Sequence, residues 1–220
     1  MLKGAIFDMD GTLLDSMQMW DQFGARYLLT QGVVAPADLN DHIRHMSLYQ
    51  ASEYFIETFH LQHKTPDDII RESDDMIRDL YAYELQLKPG VKEFLEELHA
   101  RGVKMCLATA TDGPHADAAL TRLGVRQYFS EIFTCASVGH GKDEPVIYEE
   151  SLRHLGTTKE NTLVFEDALH AAKTARDAGF LLCGVDDVME DRKEAFLATC
   201  HVMIYDFHDL DHFWAYTESL

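Results

Sequence analysis

Asp8 and Asp10 stand two residues apart in IFDMDGTLLDS, where an apolar run turns polar. A buried strand ending in Ile6 and Phe7 gains nothing from two unpaired carboxylates, because burying a charge without a partner is costly. Further along come Thr109 in CLATAT, Lys142 in GHGKDEP and the pair Glu166–Asp167 in TLVFED. Four carboxylates in one crevice cannot all ionise without a cation, and oxygen donors without His or Cys suit a hard ion such as Mg²⁺. Such an ion neutralises the acids and attracts phosphoryl oxygens, and Lys142 adds a second positive centre. The Thr109 hydroxyl, with backbone N–H groups at the start of the next helix, can hold phosphate. One aspartate can then attack phosphorus and form an aspartyl-phosphate. The other can protonate the leaving oxygen and later activate water.

These groups act together only if the fold gathers them. In a parallel α/β sheet, ligands bind at the carboxyl ends of strands; the acids and Thr109 each follow a segment of strand character, and Lys142 follows a glycine-flanked loop. VKMCLAT is a continuous apolar run that suits a buried parallel strand; EIFTC, TLVFED, LLCGV and VMIYDF read as further strands. Between them VKEFLEELHARG, HADAALTRLG, PVIYEESLRHLG and ALHAAKTARDAG have helical period. Strands alternating with helices of about 10–15 residues argue for a parallel sheet covered by helices on both faces.

The region from 16 to about 84 is different: it has helical period, no strand pattern, and punctuation at Pro36 and at TPDD, 65–68. Thr65 before Pro66, Asp67 and Asp68 makes a helix start, with a capping hydroxyl, proline in the first turn and acids at the positive end. Ser47 is placed to cap a helix carrying Ala51, Tyr54, Phe55 and Phe59. The expected organisation is an α/β, Rossmann-like core with a parallel sheet, formed by 1–15 and 86–220 and interrupted by an α-helical domain at 16–85.

Composition excludes several partners. The 220 residues are 46% hydrophobic, enough for a substantial core. The 38 acidic and 19 basic residues give a formal charge of −19, a field that repels nucleic acid. It also repels phosphate esters, so a phosphate site must create its own local positive charge. MLKGAIF is too short an apolar run for a signal peptide, and no stretch approaches the roughly 18 apolar residues of a membrane span. A cytoplasmic protein with no nucleic-acid or membrane partner is expected. Cys106, Cys135, Cys183 and Cys200 show no metal or CxxC spacing and read as small hydrophobes in a reducing compartment.

DMDGTLLDS resembles the signature of the haloacid dehalogenase superfamily, DxDGT followed by a further Asp. Thr109 in LATAT, Lys142 in GKDEP and the acidic pair in VFEDALHAAKTARDAG follow in the superfamily's order, so the resemblance covers the whole chain. It implies that Asp8 is the nucleophile and Asp10 the general acid/base, and that Thr109, Ala110 and Lys142 hold the phosphoryl group. It further implies Mg²⁺ bound by Asp8, the backbone carbonyl of Asp10, Asp167 and Glu166. The insert resembles the small cap of the β-phosphoglucomutase-like branch, which opens and closes over the site. Arg44 in DHIRHMS matches the cap position that reaches substrate.

Within that superfamily, Asp10 favours phosphoryl transfer over carbon–halogen hydrolysis, which needs no acid at this position. Phosphonate hydrolysis uses a cap lysine as a Schiff base, and no lysine lies between Lys3 and Lys64. β-Phosphoglucomutases carry a histidine leading into the cap, where this chain has Trp20, and a basic residue four positions after the cap arginine, where it has Leu48. A Mg²⁺-dependent phosphatase of a small phosphorylated metabolite is expected, with the sugar phosphate mutase as the alternative and a monomer or weak homo-oligomer as its state. A non-enzymatic receiver-like phospho-acceptor shares the acids, the hydroxyl and the lysine, but it is much shorter and lacks the insert. Among the remaining candidates, His42 and His45 flank Arg44, while His60 and His63 lie one turn apart without further ligands. Trp20, Phe23 and Tyr27 read as packing, Asp15 as a hinge or substrate group, Asp112 as a helix cap, and Asp186–Asp187 as a turn.

Overall fold

The computed structural model describes residues 1–43, 46 and 48–220. The chain forms two compact units, one of Met1–Ser16 with Leu85–Leu220 and one of Met17–Glu84. In chain order, β1 (Gly4–Phe7) is followed by α1 (Met17–Thr30), α2 (Leu39–Ile43), α3 (Leu48–Thr58) and α4 (Pro66–Asp79), which runs on into a π-helical turn at Leu80–Glu84. Then come α5 (Val91–Ala100), β2 (Lys104–Thr109), α6 (Gly113–Arg122), β3 (Phe129–Thr134), α7 (Cys135–Val138) and α8 (Val146–Leu155). The chain ends with β4 (Thr162–Glu166), α9 (Leu169–Asp177), β5 (Leu181–Val185), α10 (Lys193–Thr199), β6 (Val202–Ile204) and α11 (Asp211–Glu218).

The six strands form one sheet in the order β3-β2-β1-β4-β5-β6, and every pairing is parallel. The chain builds outward from β1 to β3, then crosses to β4 on the other side of β1. The strand order therefore reverses between β1 and β4, the crevice where open α/β sheets bind ligands. Both strands are buried at every residue, as strands covered on two faces must be. Alternation sends Phe7 and Phe165 to one face, where their rings stack at 4.1 Å. Phe94 on α5 and Phe213 on α11 extend this cluster, 5.1 Å apart. Ile6 and Val164 point to the other face, into a core shared with Cys106, Ile147, Tyr148 and Phe180. A fully buried Phe or Leu contributes roughly 1.5–3 kcal/mol, so both faces hold the strand ends firmly. Asp8 and Glu166, one residue beyond Phe7 and Phe165, fall on the Tyr148 side.

Helix faces follow the same logic. On α5 the buried Val91, Phe94, Leu95 and Leu98 repeat at the i, i+3, i+4, i+7 spacing of a core-facing stripe. The insert packs around Tyr27, which stacks on Phe55 at 6.0 Å and donates its hydroxyl to Glu72 at 2.8 Å. Trp20 and Phe23 pack at 5.8 Å. Thr65 and Asp68 complete a reciprocal capping box at the start of α4.

Several expectations need correction. The strand read in VMIYDF stops at Ile204, because Tyr205 and Asp206 turn outward into solvent. Asp112 occupies the N-cap position of α6, but its carboxylate makes no cap hydrogen bond. Asp187 does form the expected turn, its Oδ1 accepting from Met189 N at 3.0 Å, but it is buried and its Oδ2 accepts from Lys88 Nζ at 2.9 Å, while Lys88 also donates to the Asp186 carbonyl at 2.8 Å. That lysine belongs to a segment that pairs with the chain leaving β1, through Asp15 N to Gln86 O and Lys88 N to Leu13 O. The Asp15 carboxylate itself is exposed. Among the described residues, His60 and His63 join no cluster able to hold a metal. Arg44, His45 and Ser47 lie outside the described residues.

Breaking a buried ion pair strands the surviving charge. Lys88→Met is expected to lower the unfolding free energy by roughly 3–5 kcal/mol, read as a shift of the urea midpoint at unchanged slope. A loss below about 1 kcal/mol, typical of an exposed pair, would show that Asp187 finds water instead.

Candidate functional site

β1 ends at Phe7, and the chain passes through Asp8, buried Met9 and Asp10 before turning at Gly11. Gly11 has φ +76°, a conformation that costs glycine little and other residues more. The turn is fastened by Leu14 N donating to Met9 O and Gly11 N donating to Leu14 O. The register places Phe7 beside Leu107 and Phe165. Asp8, Thr109 and Glu166 therefore emerge at the same edge of three adjacent strands.

Lys142, from the loop between α7 and α8, reaches this edge. Its Nζ lies 2.6 Å from Asp8 Oδ1 and 2.7 Å from Glu166 Oε1. Tyr148 on α8 donates to the same Glu166 oxygen at 2.7 Å. Thr12 donates to Asp167 Oδ1 at 2.9 Å. Oxygens of Asp8, Glu166 and Asp167 come within 4.8 Å of one another. Asp10 is handled differently. Ser16 donates to its Oδ1 at 2.7 Å and Thr111 to its Oδ2 at 2.6 Å. The backbone N–H of Thr111 donates to the buried Thr109 hydroxyl at 3.0 Å, and Ala110 between them is exposed.

The electrostatics follow from three crowded acids and one lysine. Burial, reinforced by Glu166 and Asp10 and opposed by Lys142, pushes the Asp8 carboxyl up to about 7. Burial and the charges of Asp8 and Glu166 raise Asp167 well above the ordinary carboxylate range. Burial alone would discharge Lys142, but Asp8 and Glu166 outweigh it and hold the ammonium charged. Burial and the Glu166 charge keep the Tyr148 hydroxyl protonated. Among the described residues, Glu166 Oε2 is a buried side-chain oxygen with no hydrogen-bond partner. An orphaned oxygen inside an all-oxygen cluster of net negative charge fits a hard divalent cation.

The structure thus brings together Asp8, Lys142, Glu166 and Asp167, with Asp10 and Thr109 at the same strand edge. Arg44 lies outside the described residues. Sequence reasoning missed the roles of Thr12, Ser16, Thr111 and Tyr148. Thr12, Ser16 and Thr111 lie within two to six residues of an acid or hydroxyl singled out above. The signal for Tyr148 was weaker: a polar ring-end at a core position of a helix that begins beside Lys142.

Residues 2–179 match the sequence model for haloacid dehalogenase-like hydrolases, and the chain belongs to that family. Phosphorylated carbohydrates phosphatase of Thermotoga maritima is 28% identical over 193 residues, covering 87% of this chain and 89% of that protein. Fructose-1-phosphate phosphatase of Escherichia coli is 28% identical over 180 residues, covering 80% and 92%. A solved Thermotoga maritima structure, provisionally named a β-phosphoglucomutase, superposes with a TM-score of 0.84 at 25% identity over the whole of both chains. No described helix is long and apolar enough to cross a membrane.

A carboxyl whose folded pKa is raised stabilises the fold below its unfolded value and loses that contribution as pH rises through the folded one. With chelator present, the melting temperature of Asp8→Asn is expected to exceed that of the wild type by several degrees above pH 7. The gap should close towards pH 4. An equal gap at both pH values would place the Asp8 carboxyl in solvent-like surroundings.

Proposed function

We propose that this protein is a Mg²⁺-dependent phosphatase of a small phosphorylated carbohydrate, working through an aspartyl-phosphate on Asp8. One observation carries the reading: Asp8 stands at the switch point against Lys142, inside a carboxylate cluster, with a second aspartate held two residues on. Asp8, Glu166, Asp167 and the backbone carbonyl of Asp10 would hold the cation. When bound, it supplies positive charge to the phosphoryl oxygens and to the acids around them.

The remaining roles belong to the chain. An Asp8 oxygen attacks phosphorus, and the ester P–O bond breaks. Asp10 gives its proton to the departing alkoxide, leaving a free sugar and phospho-Asp8. Asp10, now a base, takes a proton from water as that water attacks phosphorus. The acyl phosphate P–O bond breaks, inorganic phosphate leaves, and Asp8 returns as a carboxylate. Ser16 and Thr111 fix both Asp10 oxygens, so the proton is delivered along a set direction. Lys142 orients Asp8 and faces the phosphoryl group, which Thr109 and the backbone at Ala110 help to hold.

We assign substrate choice to the helical insert, with Arg44 as its contact. The carbohydrate class follows the relatives, two of which are named for phosphorylated carbohydrates or fructose 1-phosphate. Trp20 and Leu48, where mutases carry basic groups, favour release to water over transfer to a second sugar.

The test is phosphate release from a panel of sugar and polyol phosphates with Mg²⁺. Asp8→Asn should reduce release to background while the variant remains folded. Asp10→Asn should lower kcat by about 10²–10⁴. Excess chelator should stop turnover, and added Mg²⁺ should restore it. Full activity of Asp8→Asn would refute the nucleophile assignment, and transfer between hexose positions without release would replace the phosphatase with the mutase.

A further inference from the structure

Tyr148 is the third residue of α8, a helix that begins only four residues after Lys142. Its ring is fully buried among Ile6, Val164 and Phe180, the last at 6.1 Å between ring centroids. A core position of this kind is satisfied by phenylalanine. The hydroxyl is therefore the feature that needs explaining. It points at the floor of the acidic cluster and donates to Glu166 Oε1 at 2.7 Å.

That oxygen already accepts Lys142 Nζ at 2.7 Å. Glu166 thus carries two donors on one oxygen and none on the other, Oε2, which is buried. A carboxylate pinned in this way offers a cation one oxygen and cannot swing to offer both. The distinction has chemical consequences. Mg²⁺ demands near-octahedral geometry with short, single-oxygen ligation, whereas Ca²⁺ takes six to eight oxygens and accepts two-oxygen carboxylates readily.

We propose that Tyr148 is a positioning residue that holds Glu166 as a one-oxygen ligand and so biases the site towards Mg²⁺ over Ca²⁺. The proposal rests on the cation reading given above. Lys142 holds Glu166 through an ammonium it shares with Asp8 at 2.6 Å, whereas the Tyr148 hydroxyl donates to Glu166 alone. Without the hydroxyl, Glu166 Oε1 is left to a donor already engaged, and the carboxylate gains freedom to turn.

The experiment is calorimetric titration of chelator-treated full-length protein with Mg²⁺ alone and with Ca²⁺ alone, for the wild type and Tyr148→Phe. Phenylalanine keeps the ring and its packing. The Kd for Mg²⁺ should rise about 10-fold or more, in the range seen when a ligand's supporting hydrogen bond is removed. The Kd for Ca²⁺ should change much less. Equal weakening of both ions would mean a merely structural hydroxyl and would overturn the proposal, as would an unchanged Mg²⁺ Kd. A second comparison covers the case in which the lost hydroxyl impairs folding. Glu166→Gln and the double variant Glu166→Gln/Tyr148→Phe lack the buried charge and should bind Mg²⁺ equally, since Tyr148 acts only through that carboxylate. A further loss in the double variant would overturn the proposal. A wild type that binds Mg²⁺ yet releases no phosphate defeats the phosphatase reading and leaves the Tyr148 result standing. A wild type that binds neither ion defeats both.

Discussion

Three carboxylates crowd one ammonium group where the strand order of the parallel sheet reverses. Asp8 and Glu166 both contact Lys142 Nζ, at 2.6 and 2.7 Å, and Asp167 completes the cluster. Packing alone does not produce this arrangement, because apolar residues at the ends of β1 and β4 would bury more cheaply than charges. The core instead supplies the rigidity that holds the acids in place. Phe7 and Phe165 stack on one face and Ile6 and Val164 pack into the other, so neither strand end can move to relieve the crowding. The repulsion is thus stored in the fold, and it disappears when a positive group enters.

Asp10, which adds to the charge around Asp8, is held by a different set of donors. Two hydroxyls, from Ser16 and Thr111, occupy its two oxygens. Aspartates two residues apart therefore have different hydrogen-bond partners: Asp8 meets the Lys142 ammonium, and Asp10 meets two hydroxyls. Environments that differ in this way separate the behaviour of neighbouring acids, which is how one site runs both attack and proton transfer. The phosphatase reading draws its division of labour from that contrast.

The parallel core was legible because its strands are apolar runs separated by helices of regular period, and DMDGT announces the end of β1. The acids were legible because unpaired carboxylates at strand ends demand a partner. Less visible were elements whose reason is tertiary. Residues 211–218 have little helical signature of their own, and α11 forms because Phe213 and Trp214 find Phe94. The turn at Asp187 was legible but its buried ion pair was not, because its partner, Lys88, is distant in sequence. Tyr148 looked like core because it is core; only its hydroxyl faces the acids. In each case the deciding contact joins residues far apart along the chain, and local pattern carries no trace of it.

A chain of formal charge −19 is a poor place for a dianionic phosphate ester to arrive. Screening limits that repulsion to about 8–10 Å at physiological ionic strength, so the decisive balance is local. Around Asp8 it comprises one lysine and three carboxylates, still negative if all are ionised. An incoming phosphate would make it more so. The same groups that make the site unfavourable for an anion make it favourable for a cation, and a bound divalent ion would cancel the surplus of two negative charges. The carboxylate cluster, the orphaned Glu166 oxygen and the wider acidity of the chain are in this sense one design. On the phosphatase reading they would disfavour phosphate until a divalent ion is taken up, and so would tie the affinity for ester to the affinity for metal.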